Sequence, residues 1–107
     1  MVPTLPHPVR ALVNAANAGD TEAFLACFTP DGVVDDWGRE FRGGPAIEGW
    51  SSKEFIGVRV SLRVTAVEDN DTVVSVAAQV GGDGFNGPSH FVFDLAGHHV
   101  SRMTIRG

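Results

Sequence analysis

The sequence predicts an α+β domain, with its helices first and an antiparallel sheet after them. Two observations carry this. Apolar residues recur at helical spacing through the first half, whereas in the second half they alternate with polar ones. The 13 glycines, several of them beside proline or aspartate, mark where one element gives way to the next.

Val9, Leu12, Val13 and Ala16 lie on one face of an amphipathic helix, with Pro8 in its first turn. Gly19 ends it and Asp20 is placed to cap the next helix. That second helix is expected to carry Phe24, Leu25 and Phe28 and to stop before a turn at Thr29-Pro30-Asp31-Gly32. Val33 to Trp37 reads as a short strand, turned by Gly38 and Arg39 into another that runs through Phe41. Gly43-Gly44-Pro45 opens a third helix, with Ile47 and Trp50 on one face.

Val58, Val60, Leu62 and Val64 alternate with Arg59, Ser61, Arg63 and Thr65, the period of a strand with one buried face. Glu68 to Asp71 is a polar turn. Val74, Val76, Ala78 and Val80 continue the alternation, which the segment from Gly81 to Pro88 breaks. Phe91, Phe93 and Leu95 resume it, Ala96-Gly97-His98 turns the chain, and Met103 and Ile105 mark a last strand. The 107 residues fit one domain, 1–107, large enough to bury a core without staples.

Composition narrows the function classes. Charged residues make up 20% of the chain and the net charge is −5, with one lysine and scattered arginines. Nucleic-acid binding needs clustered basic residues, so no such partner is expected. No apolar run approaches the ~20 residues that span a bilayer, and the first residues lack the basic and apolar regions of a signal peptide. A cytoplasmic protein without a membrane partner is expected. The single cysteine, Cys27, forms neither an intramolecular disulfide nor a zinc site alone, and its apolar helical surroundings suit an inert thiol. His98 and His99 lie in a turn without a set of acidic ligands, so no metal is expected.

Three segments carry a resemblance. "NAGDTEAFLACFTPDGVVDDW", "FRGGPAIEGW" and "FDLAGHHVSRMTI" resemble the opening, the entry to the third helix and the closing hairpin of SnoaL-like and ketosteroid-isomerase-like proteins of the nuclear transport factor 2-like superfamily. The likeness runs from about Val9 to Ile105. It implies a cone-shaped, curved antiparallel sheet wrapped around the N-terminal helices, and a pocket inside the cone. It also implies a homodimer through the outer sheet face, which would carry Arg59, Arg63, His90 and Val92.

Carried over by position, the general base of the isomerases matches Asp36. Their tyrosine donor matches Leu12, in a chain with no tyrosine, and their second acid matches Ser89. Steroid isomerisation is therefore not expected; isomerisation, cyclisation or dehydration of another small molecule by proton transfer is compatible, and so is a pocket that only binds a ligand in a homodimeric accessory domain. Asp35 and Asp36 point to opposite faces of a strand, so one of them enters the pocket. Val33 shares a face with Asp35 and Val34 with Asp36, and the pattern alone leaves both choices open; the resemblance favours Asp36. Either carboxylate could instead pair with Arg39 or Arg42 at the hairpin end. A carboxylate walled by Trp37, Trp50 and Phe91 would be partly desolvated, and desolvation makes a carboxylate a better base near neutral pH.

Asp36 and Ser89 are thus the candidate catalytic pair. The expected pocket lining is Leu12, Trp37, Trp50, Phe55, Phe85, Phe91 and Met103, and the expected ligand a small hydrophobic or cyclic organic molecule, with no cofactor. The rings have two readings, plain core or an aromatic box for a flat ligand. Asp83 and Asn86 sit in the Gly-rich loop, which reads as either a lid or a surface connection.

Overall fold

The computed structural model describes residues 4–107. Three helices precede and interrupt a six-stranded sheet: α1 His7–Ala18, α2 Thr21–Ala26, β1 Phe28–Asp36, β2 Arg39–Arg42, α3 Gly44–Glu54, β3 Ser61–Asn70, β4 Val73–Gly81, β5 Gly87–Ala96 and β6 His99–Arg106. The strand order is β2-β1-β6-β5-β4-β3. The fold is α+β, with the curved open sheet around the N-terminal helices. No helix among the described residues is long and apolar enough to cross a membrane.

The helices form where apolar spacing and capping agree. Val9, Leu12, Val13 and Ala16 are buried on one face of α1. Gly19 closes the helix at φ 69°, in the left-handed region that favours glycine. The Asp20 carboxylate then accepts from the Ala23 amide at 3.1 Å and starts α2. Ile47 and Trp50, with Ser51, make up the buried face of α3, as the spacing of the first two requires.

The sheet departs from the sequence reading in four places. Phe28 belongs to β1 rather than α2, and Thr29-Pro30-Asp31-Gly32 lies within β1 instead of turning the chain. Phe28 pairs with Val100 and Val33 with Arg102, so the residues between them bulge out of register. Pro30 has no N–H to lend to the ladder, which makes a bulge its natural place.

Val58 ends a 3₁₀ turn, Ile56–Val58, and Arg59 follows at φ 54°, so β3 starts only at Ser61. That turn packs tightly on α3: a Cβ at Gly57 would collide with the Ser52 backbone. Glu68, Asp69 and Asn70 extend β3, and the turn itself falls on Asp71 and Thr72, because Asn70 pairs with Val73. Finally, β1 and β6 pair in parallel, while every other neighbouring pair is antiparallel. Strands far apart in sequence are not joined by a hairpin, so nothing local dictates their relative direction.

The core lies between the helices and the inner sheet face, where Val34, Leu62, Val74, Val76, Phe91, Phe93 and Met103 meet α1 and α3. Phe24 joins the layers, packing edge-on to Phe28 at 5.3 Å and against Phe55 at 5.5 Å.

A candidate site in the wall of the cone

One cavity of about 360 Å³ opens between the end of α3, the β1–β2 hairpin and the loop joining β4 to β5. It falls in the size range of small-molecule sites. Asp36, Trp37, Trp50, Phe55, Phe85, Ser89 and Phe91 line it, so it gathers most of the candidate residues. Leu12 and Met103 do not line it: both are fully buried in the core. The expectation for these two is corrected. Leu12 sits on the α1 stripe that packs against the sheet, and Met103 is sealed between Val34 and Phe93. Ile105, two residues further along the same face of β6, reaches the cavity instead.

The two neighbouring aspartates part as strand geometry demands. Asp36 turns inward with Val34. Its Oδ2 accepts from Trp50 Nε1 at 3.0 Å and from Arg39 Nη2 at 2.6 Å. Its side chain retains 15% exposure. Its Oδ1 accepts no hydrogen bond from the described residues. The inward placement and the pairing with Arg39 thus hold together.

Asp35 turns outward to β6. It accepts from Arg106 at 3.0 Å, from the Gly38 amide at 2.8 Å and from Arg102 at 2.7 Å. The Arg106 and Gly38 donors, with Arg102, hold its carboxyl down to about 2. Arg102 also reaches Glu40 at 2.7 Å.

Trp50 is fixed as much by packing as by its hydrogen bond. Its ring stacks on Phe55 at 4.9 Å and lies 6.1 Å from Phe41. Arg39 bridges the hairpin to α3: its Nη1 and Nη2 donate to Glu54 at 3.0 and 2.7 Å while Nη2 also holds Asp36. The Glu54 contact, with Asp36 behind it, stabilises the Arg39 charge, and Arg39 in turn lowers the Glu54 carboxyl. Glu54 and Lys53 line the cavity but were missed in the sequence. The signal was there, since they follow Trp50 by one helical turn and so share its side of α3.

Ser89 lies in phase with Phe91 on β5, buried, with its residue in the cavity wall. Trp37 and Phe85 are exposed at 65% and 61%, so neither fills the cavity. The Gly-rich loop is pinned. Asp83 pairs with Arg59 at 2.8 Å, the Asp83 amide bonds the Val58 carbonyl at 2.8 Å, and Asn86 bonds the Gly82 carbonyl at 2.8 Å. Arg59 precedes β3 and so does not lie on the outer sheet face expected for it, whereas Arg63, His90 and Val92 belong to the sheet strands. Cys27 is half-buried and donates to the Ala23 carbonyl at 3.2 Å, and burial pushes its thiol pKa up. Among the described residues, no three His, Cys, Asp or Glu side chains gather as a metal site.

Comparison with known proteins agrees with this architecture. A model of the SnoaL-like domain matches residues 9–103. A candidate polyketide cyclase from Sinorhizobium meliloti is 25% identical, with 95% of each chain covered and a TM-score of 0.84. A protein with a ketosteroid isomerase-like fold from Catenulispora acidiphila, solved in complex with trimethylamine, is 22% identical over 97% of this chain and 87% of that one, with a TM-score of 0.81. The Orange Carotenoid Protein of Anabaena, binding canthaxanthin, is 19% identical over 99% of this chain but 38% of its own, with a TM-score of 0.82. No curated protein matches the chain.

Proposed function

The chain belongs to the SnoaL-like domain family, and on that premise we propose that its cavity takes a small, largely apolar cyclic molecule on which Asp36 moves a proton without a cofactor. One observation carries this reading. Asp36 presents an oxygen, Oδ1, that has no partner among the described residues, in a cavity otherwise walled mainly by rings and aliphatic side chains. That oxygen is open to the cavity rather than sealed in the core, so an acidic hydrogen of a bound ligand can reach it.

The chemistry follows from these groups. A substrate C–H beside a carbonyl gives its proton to Asp36 Oδ1, and the bonding pair moves into an enolate. The Ser89 hydroxyl donates a hydrogen bond to the enolate oxygen. Return of the proton at a different carbon is an isomerisation. Attack of the enolate carbon on a second carbonyl, whose oxygen takes the proton, is an aldol cyclisation, and loss of water can follow. The likeness to a candidate polyketide cyclase supports the cyclisation arm.

A second reading, binding without turnover, is favoured by Arg39, which already covers Asp36 Oδ2 and ties it to Glu54. The relatives found with trimethylamine and canthaxanthin support ligand binding in either case. We place the protein in the cytoplasm, as a homodimer through the outer sheet face around Arg63, His90 and Val92. A monomer by light scattering at micromolar concentration overturns the dimer.

The deciding experiment is a thermal-shift ligand screen on the wild type and Asp36→Asn, followed by product analysis of every hit. Turnover by the wild type that falls at least about 10²-fold in Asp36→Asn supports proton transfer. Hits that bind both proteins equally and are never converted sink it.

A further inference from the structure

Asp36 pairs with Arg39, so the β1–β2 hairpin has a two-residue loop, Trp37-Gly38. Both residues have positive φ, 54° and 90°. This is the combination of a type I′ turn, whose first position favours asparagine, aspartate or glycine. A bulky side chain is strained there by its own Cβ. Trp37 gains little burial in return, being 65% exposed. Backbone strain and exposed apolar surface at one residue point away from a structural purpose.

Phe85 is the other exposed large hydrophobic residue among those described. It comes from a different loop and lines the same cavity. Each ring rests against a glycine. A Cβ at Gly107 would come within 2.8 Å of the Trp37 ring, and one at Gly87 within 3.2 Å of the Phe85 ring. The deeper rings, Trp50 and Phe55, are buried and stacked on each other. Free aromatic surface is therefore concentrated at the cavity mouth.

We propose that Trp37 and Phe85 form an aromatic mouth that selects planar, conjugated ligands over puckered ones of the same skeleton. The proposal rests on the ligand-binding reading above and adds the selectivity of its entrance. A flat ring can stack on either side chain as it enters, whereas a saturated ring gains only area. The polar group of such a ligand reaches inward to Asp36 and Ser89.

The test compares 2-hydroxyanthracene with its fully saturated counterpart, perhydroanthracen-2-ol, by isothermal titration calorimetry. The wild type should bind the flat alcohol roughly 5- to 10-fold tighter. In Trp37→Asn and Phe85→Ser this ratio should fall towards one. Trp37→Asn should also raise Tm by roughly 4–8 °C, because asparagine relieves the turn. A fall in Tm gives the ring a structural role and overturns the proposal, as does a ratio that survives both substitutions. An altered oligomeric state with an unaltered ratio assigns the rings to a second copy of the chain, and also overturns it. If both alcohols bind the wild type equally, only the mouth is lost; if neither binds, the ligand-binding reading fails with it.

Discussion

The side-chain amide of Asn17 pairs with both backbone groups of Leu62. Its Oδ1 accepts from the Leu62 N–H at 2.6 Å and its Nδ2 donates to the Leu62 carbonyl at 3.0 Å. Leu62 lies near the start of β3, the outer strand at one end of the sheet. The amide thus imitates one residue of a neighbouring strand and ties α1 to an edge that would otherwise be open.

Asn17→Ala should therefore cost about 1–2 kcal/mol, since it strips two partners from Leu62 at once. Urea denaturation measures the loss. Amide hydrogen exchange should show faster opening at Leu62 than at Val76, which lies on inner strand β4.

Asp35 should govern the acid limb of stability. Its folded pKa, about 2, lies below the ordinary 3.8, and Arg106 is the largest cause. A depressed carboxylate adds stability that is fully present above the unfolded value and is lost as pH falls through the folded one. Asp35→Asn should be less stable than the wild type at pH 7. The gap should close between pH of about 4 and about 2, as followed by denaturant midpoints across that range.

Trp50 separates packing from hydrogen bonding. Trp50→Phe keeps a ring to stack on Phe55 but removes the donor to Asp36, and should cost about 1–2 kcal/mol. Trp50→Ala removes both and should cost about 3–5 kcal/mol. Equal losses in urea melts would mean that the indole N–H carries the whole effect.

Gly57→Ala should destabilise by about 2–3 kcal/mol or more, because its methyl has no room beside the Ser52 backbone at the end of α3. Gly49→Ala, where nothing lies within 4 Å, is the control and should be neutral or slightly stabilising. Thermal melts of the two variants check the contrast.

Local patterning along the chain set the order and kind of the elements. Helical spacing placed Val9, Leu12, Val13 and Ala16 on one buried face, and alternation placed Val74, Val76, Ala78 and Val80 on another. These patterns are local, spanning one or two turns of helix or a few residues of strand. The same locality explains the errors. The turn-like Thr29-Pro30-Asp31-Gly32 became a bulge because β1 had β6 beside it. Val58, in phase with a strand, was drawn into the tight turn closing α3.

The choice between Asp35 and Asp36 was made by long-range packing. Their fates depend on Trp50, 14 residues from Asp36, and on Arg102 and Arg106, 67 and 71 residues from Asp35. Packing of the whole chain sets such contacts, so no periodicity records them. Leu12 and Met103 went to the core and Glu54 to the cavity for the same reason. A pattern says which face a residue shares, and the fold says whether that face meets another side chain or an open space.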